Sequence, residues 1–165
     1  MIRQAALEDV SRIAEILIFA KRSAYRDIFK NDKVSFGEMQ VLPLALQYIN
    51  NPALLENIIV FDDEFVKAMA ATETSISADG SALLNVVEFF VDPFFQDDGI
   101  GKKMLREIEG RCKRDGIGRI ALWVLAKNTR AIGFYEKHGF RPTGEQQLLE
   151  GTPEYIVRYA KEVQL

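Results

Sequence analysis

Val91-Asp92-Pro93-Phe94-Phe95-Gln96-Asp97-Asp98-Gly99-Ile100-Gly101 is the stretch of this chain that decides its fold. An apolar run ends at Val91, a polar turn with two glycines follows, and a helical pattern starts at once. Gly101, Met104, Leu105, Ile108 and Cys112 recur on one face of that helix. Strand, glycine turn and helix start in immediate succession aim several backbone N–H groups and the positive end of a helix dipole at one point. Such a point is suited to holding a phosphate.

Working outward, Leu83 to Val91 reads as a strand entered from a turn around Ala78-Asp79-Gly80. Before it, Asn57 to Phe61 and Phe65 to Ala71 flank Asp62-Asp63-Glu64 and predict a hairpin. Ile2 to Ala5 reads as a first strand. Leu7 to about Tyr25 reads as a helix, because Val10, Ile13, Ala14, Leu17 and Ala20 recur at helical spacing. Asp27 to Ser35 is polar and loop-like. Gly37 to about Ile49 predicts a second helix that Pro43 kinks or splits.

Downstream, the helix from Gly99 to about Arg114 meets its terminator at Gly116. Ile120 to Leu125 is continuously apolar, the pattern of a strand covered on both faces. Asn128 suits the cap of a short helix running to His138, with Gly139 placed to end it. Phe140 to Leu148 and Tyr155 to Tyr159 form a last pair of strands joined through Gly151. The order is β-α-α-β-β-β-α-β-α-β-β, an α/β (α+β) arrangement in which a mixed sheet is flanked by helices.

The chain has 165 residues, 48% of them apolar, and shows no repeat, low-complexity tract or linker. A single domain over residues 1–165 with a substantial core is therefore expected. A net charge of −3 gives no general attraction to nucleic acid or to an anionic membrane. The longest apolar runs, such as Ser81 to Val91, are broken by Asn85 and Glu88 and fall short of the roughly 20 residues of a membrane span. The N-terminus has no signal-peptide core, so a cytoplasmic location is expected. A lone cysteine, Cys112, excludes an intrachain disulfide and any multi-cysteine metal site, and no metal is expected.

Two nucleotide readings of the glycine turn fail. A dinucleotide fingerprint wants a third glycine at fixed spacing, and Gly99-Ile100-Gly101 runs into Lys102-Lys103-Met104. A Walker loop wants lysine followed by Ser or Thr, and Lys103 is followed by Met104. The wider context is more specific. Gln96-x-x-Gly99-x-Gly101 follows a strand ending in Val91-Asp92-Pro93; further on come Asn128 and then Phe134-Tyr135-Glu136-Lys137-His138-Gly139-Phe140. From Phe89 to Phe140 this resembles the GNAT superfamily of acyl-CoA-dependent N-acyltransferases, and the element order extends the resemblance over the whole chain.

The resemblance implies a mixed, mostly antiparallel sheet of about seven strands with about four helices. It implies transfer of an acetyl group from acetyl-CoA, as cosubstrate, to a primary amine by direct attack in a ternary complex. The amine belongs to a small molecule or a peptide N-terminus. Gln96, Asp98, Gly99, Ile100, Gly101 and Lys102 would hold the CoA pyrophosphate, and Phe89 and Val91 would contact pantetheine through backbone groups. Asn128 would bond pantetheine, cap its helix, or do both. Tyr135 would stand near the CoA sulfur as general acid. A homodimer is also implied.

The residues themselves leave alternatives. Asp97 and Asp98 stand where small or basic residues are usual in the family, and carboxylates beside a pyrophosphate repel it unless they face water or cap the helix. Lys102 and Lys103 partly offset them. Glu88, a carboxylate in an apolar strand, is the candidate general base if buried, since burial favours its neutral form; an outward-facing strand acid is the other reading. Lys127, Arg130 and Lys137 suit either CoA phosphates or solvent. His138, at a helix C-terminus, reads as structural, and Cys112 on an apolar face argues against an acetyl-cysteine route. Tyr25, Arg26, Asp27, Phe29 and Phe36 are candidates for the acceptor pocket. A non-catalytic CoA-binding sensor or scaffold of the same fold is the alternative to an enzyme.

Overall fold

The computed structural model describes residues 1–77 and 79–165; Ala78, assigned above to a turn with Asp79 and Gly80, lies outside the described residues. Seven strands and four α-helices follow one another: β1 (Ile2–Gln4), α1 (Val10–Phe29), α2 (Val41–Asn50), β2 (Ile58–Asp63), β3 (Phe65–Ile76), β4 (Ala82–Val91), α3 (Ile100–Asp115), β5 (Arg119–Leu125), α4 (Thr129–Lys137), β6 (Arg141–Leu148) and β7 (Tyr155–Glu162). This is the predicted order. The strands hydrogen-bond as β1-β2-β3-β4-β5-β7-β6. Pairs β1/β2, β2/β3, β5/β7 and β6/β7 are antiparallel, and β4/β5 is parallel, so the sheet is mixed and mostly antiparallel as expected.

The chain divides into two compact units, with β3, β4 and α3 each running from one into the other. The first comprises Met1–Ala71 and Glu88–Leu105. In one cluster of its core, Val10, Ile13, Ala14, Ile16, Leu17 and Ile18 of α1 pack with Ala45 and Tyr48 of α2 and with Ile58, Val60, Val66 and Met69 of β2 and β3. The helical periodicity of α1 meets the two-residue periodicity of the hairpin there. Truncating a fully buried member such as Ile13 to Ala is worth roughly 3 kcal/mol.

The second unit comprises Thr72–Val87 and Arg106–Leu165. Leu84, Asn85 and Val86 of β4 lie beside Ile120, Ala121 and Leu122 of β5, and β7 runs antiparallel along the whole of β5. Ile108, Cys112, Ile120 and Phe140 are among its most deeply buried side chains.

Four local expectations change. Helix α1 continues past Tyr25 to Phe29 and ends where Lys30 turns left-handed, at φ 50°. The polar segment after it is not all loop, because Lys33–Glu38 winds into a wide π-type turn. Arg22 holds that turn by donating to the Ser35 and Met39 carbonyls, a tie that residue-by-residue propensity does not register. Pro43 neither kinks nor splits α2, since the helix starts at Val41 and places Pro43 in its first turn, where no N–H is required. Strand β5 is not covered throughout: Trp123 is 39% exposed, opposite Arg158, whose guanidinium lies 5.7 Å above the indole.

Candidate functional site

In the first unit, β4 delivers the chain to the glycine turn, and Asp92 fixes the exit. Its buried carboxylate accepts from the Phe94 N–H at 2.8 Å and from the guanidinium of Arg12, which also donates to the Val66 carbonyl. Its own N–H donates to the Lys67 carbonyl on β3. The short turn Pro93–Phe95 is thus capped at one end, and Phe95 stacks edge-on against Phe65 at 5.5 Å. Gln96 folds back, its amide donating to the Val91 carbonyl at 3.3 Å.

The turn then takes two left-handed steps, Asp97 at φ 73° and Gly99 at φ 75°. Gly99 occupies the cap position of α3, its carbonyl accepting from the Lys103 N–H at 3.2 Å. The N–H groups of Ile100, Gly101 and Lys102 precede the first α-helical bond and have no acceptor within the helix. A Cβ at Gly99 would meet no atom within 4 Å, so space lies beside the turn. Free first-turn donors, a left-handed glycine and open space fit a diphosphate.

Of the two readings of the acids beside the turn, facing water or capping the helix, Asp98 takes the first. Asp98 is exposed and does not cap α3; Gly99 does, and no side-chain bond to Asp98 occurs among the described residues. Lys102 is exposed at the first turn, whereas the ammonium of Lys103 lies 5.4 Å above the Phe61 ring.

Along β4, Glu88 and Phe90 share one face and Phe89 and Val91 the other. Glu88 accepts from the Lys21 ammonium at 2.8 Å, with both side chains about a quarter exposed. The same ammonium lies 5.7 Å above Phe90, whose ring also meets that of Tyr25 at 6.4 Å. Burial, helped by the charge on Glu88, pushes the Tyr25 phenol up to about 12 and raises that of Tyr48. Of the candidate acceptor-pocket residues, Tyr25 and Phe29 gather here, their rings 5.9 Å apart. Arg26 instead pairs with Asp32 and stacks on Phe36.

Lys21 was missed from sequence, yet a signal existed. It continues the row Val10, Ala14, Leu17 on α1, and a cation on an apolar row has to find a carboxylate.

In the second unit, Asn128 caps α4, its side-chain oxygen accepting from the Ala131 N–H at 3.3 Å. Tyr135, about two turns beyond Asn128, is buried and packs edge-on against Phe134 and Phe140. His138 turns back on its own helix, its Nδ1 2.7 Å from the Phe134 carbonyl, in the structural role expected of it. Lys127 is paired with Glu154. Burial pushes the Cys112 thiol up to about 11, which suppresses the thiolate needed for covalent catalysis. Among the described residues no group of three or more His, Cys, Asp or Glu is placed to hold a metal ion, and no helix is long and apolar enough to cross a membrane.

Comparison with known proteins agrees with this layout. Over 74 residues the chain is 32% identical to the [ribosomal protein bS18]-alanine N-acetyltransferase of Escherichia coli, covering 45% of this chain and 48% of that one. Over 71 residues it is 36% identical to an uncharacterized N-acetyltransferase of Methanocaldococcus jannaschii, covering 43% of this chain and 30% of the other. The match thus spans half or less of these relatives' own length. The crystal structure of the PaiA N-acetyltransferase from Thermoplasma acidophilum in complex with coenzyme A superposes with a TM-score of 0.70 over 98% of both chains at 20% identity, a likeness of fold. The model of the acetyltransferase (GNAT) family matches residues 24–140. The chain belongs to the acetyltransferase (GNAT) family.

Proposed function

We propose that this chain, residues 1–165 as one acyltransferase domain, is an acetyl-CoA-dependent N-acetyltransferase acting on a primary amine by direct attack. The observation that carries the reading is the turn at Gln96–Lys102, with its left-handed Gly99 and first-turn N–H groups that have no acceptor within the helix, in a chain of this family. Acetyl-CoA supplies an activated thioester. The N–H groups of α3 and the Lys102 ammonium neutralise diphosphate charge. Backbone groups of Phe89 and Val91 line pantetheine and polarise the thioester carbonyl. By the motif positions they match, Asn128 serves pantetheine while capping α4, and Tyr135 protonates the departing thiolate. Glu88 takes the proton of the attacking amine.

A free phenol near pKa 10 protonates a thiolate of about 8.5 only slightly uphill, so Tyr135 is chemically competent. The acceptor is a small molecule or a peptide N-terminus; the Escherichia coli relative is named for an alanine of a ribosomal protein. A cytoplasmic location and a homodimer accord with the family resemblance. The net charge of −3 speaks against nucleic acid and anionic membranes as partners.

A second reading, a CoA-binding module without catalysis, is favoured by Asp98 beside the turn and by Lys21 already seated on Glu88. Calorimetry with acetyl-CoA, followed by a panel of amines with thiol-release detection, separates the readings. Binding with transfer supports the enzyme, and binding without transfer to any amine supports the module. Absence of binding removes both.

A further inference from the structure

We infer that Lys21 is itself an acetyl acceptor, so that the chain acetylates its own α1 at a site in contact with Glu88. The inference rests on the enzymatic reading above. A nucleophile within hydrogen-bond reach of its base is the geometry that acyl transfer needs, and the Lys21 Nζ stands 2.8 Å from the Glu88 Oε1. Both side chains are only partly exposed, so water is limited while a reagent can still approach. Glu88 immediately precedes Phe89, the first of the β4 residues assigned to pantetheine, and that assignment brings a thioester beside this amine rather than beside another. The Phe90 ring lies 5.7 Å from the ammonium, and the Tyr25 ring packs edge-on against Phe90 in turn.

Pairing with a carboxylate does not single Lys21 out. Lys161 on β7 donates to Glu109 at 2.6 Å, with similar exposure of both side chains. What differs is the element that carries the carboxylate: Glu88 sits on β4 beside the residues assigned to pantetheine, whereas Glu109 sits on α3. Lys161 is therefore an internal control for acetylation of a carboxylate-paired lysine away from the assigned pantetheine residues.

The step balances. The Lys21 ammonium gives a proton to Glu88, and the Nζ lone pair forms a bond to the thioester carbonyl carbon. The carbon–sulfur bond breaks, and its electron pair leaves on the coenzyme sulfur, which is protonated to the thiol. Nitrogen loses its second proton, and one net proton passes to solvent. The product, an N-acetyl-lysine, is neutral and can no longer form the ion pair. Glu88 is then released for an external amine.

The test incubates the purified full chain with acetyl-CoA and no amine, then follows intact mass and peptide masses with time. The expected result is one acetyl group on Lys21, added well before any on Lys161. Glu88→Gln should slow labelling of Lys21 about a hundredfold, the scale of general-base assistance, without changing Lys161. Lys21→Arg keeps the cation but offers no acylatable amine, and should remove that one equivalent while its melting temperature stays near the parent's. Equal labelling of Lys21 and Lys161, or an unlabelled Lys21 in protein that calorimetry shows to bind acetyl-CoA, would overturn the inference alone. Failure to bind acetyl-CoA would instead bring down the enzymatic reading, and this inference with it.

Discussion

Arg12 and Asp92, eighty positions apart in sequence, meet through a guanidinium–carboxylate contact that ties the first turns of α1 to the exit of β4. Asp92 is almost fully buried there, and Arg12 divides its remaining donors between Glu15 and the Val66 carbonyl. The turn that follows inherits its position from this tie, because Asp92 also caps Pro93–Phe95.

Asp92→Ala should therefore act twice. It leaves the Arg12 guanidinium without its buried partner, at a cost of roughly 3 kcal/mol in folding stability. It also uncaps the turn, and acetyl-CoA affinity should fall even well below the melting temperature. Urea denaturation and calorimetry read the two effects separately; unchanged affinity in a destabilised variant would detach Asp92 from the coenzyme turn.

Gly99→Ala places a side chain at φ 75° with nothing nearby to clash. Strain alone sets the cost, about 1 kcal/mol. Acetyl-CoA binding should suffer more than stability does, because relaxing φ reorients the first N–H groups of α3. Equal small losses in both would show that the turn does not touch the coenzyme.

Asp98→Lys converts an exposed carboxylate beside the turn into a cation. Coenzyme binding should tighten several-fold at low ionic strength, and the gain should shrink as salt screens it. If titrations in low and high salt give the parent's affinity in both, the Asp98 carboxylate lies beyond the field of the phosphates.

Tyr135→Phe keeps the ring packed against Phe134 and Phe140 and removes only the hydroxyl. Turnover with any accepted amine should drop about a hundredfold, with the KM for acetyl-CoA little changed. A variant that retains full turnover assigns the general acid elsewhere.

Arg3 holds the buried Asp9 carboxyl below the usual carboxylate range through paired hydrogen bonds at 2.7 and 2.9 Å. A depressed pKa adds stability above the unfolded value of 3.8 and loses it as pH falls through the lower folded value. The stability gap between the parent and Asp9→Asn, from urea midpoints, should be full near neutral pH. It should narrow progressively below about pH 4. A gap independent of pH would mean that the carboxylate charge contributes nothing.

Much of this molecule is legible in its sequence. The apolar rows of α1 and α3, the hairpin around Asp62-Asp63-Glu64, the cap at Asn128 and the terminators Gly116 and Gly139 are local signals, each written within a few residues. The strand–turn–helix at Val91–Gly101 is local too, and it carried the family. Pro43 misled because proline is read as a breaker, while its effect depends on where a helix begins. Trp123 misled because an apolar run does not say how many of its faces are covered.

Sequence by itself determined the order of elements, the extents of α3 and α4 to within a residue or so and the strand–turn–helix around Gly99, since these depend on backbone preferences and on neighbours a turn away. Only the tertiary structure decided which charges meet: Lys21 with Glu88, Arg12 with Asp92, and Arg22 with the carbonyls of Ser35 and Met39. Partners drawn from distant segments are chosen by burial, which makes an unpaired charge costly wherever the packed elements happen to place it.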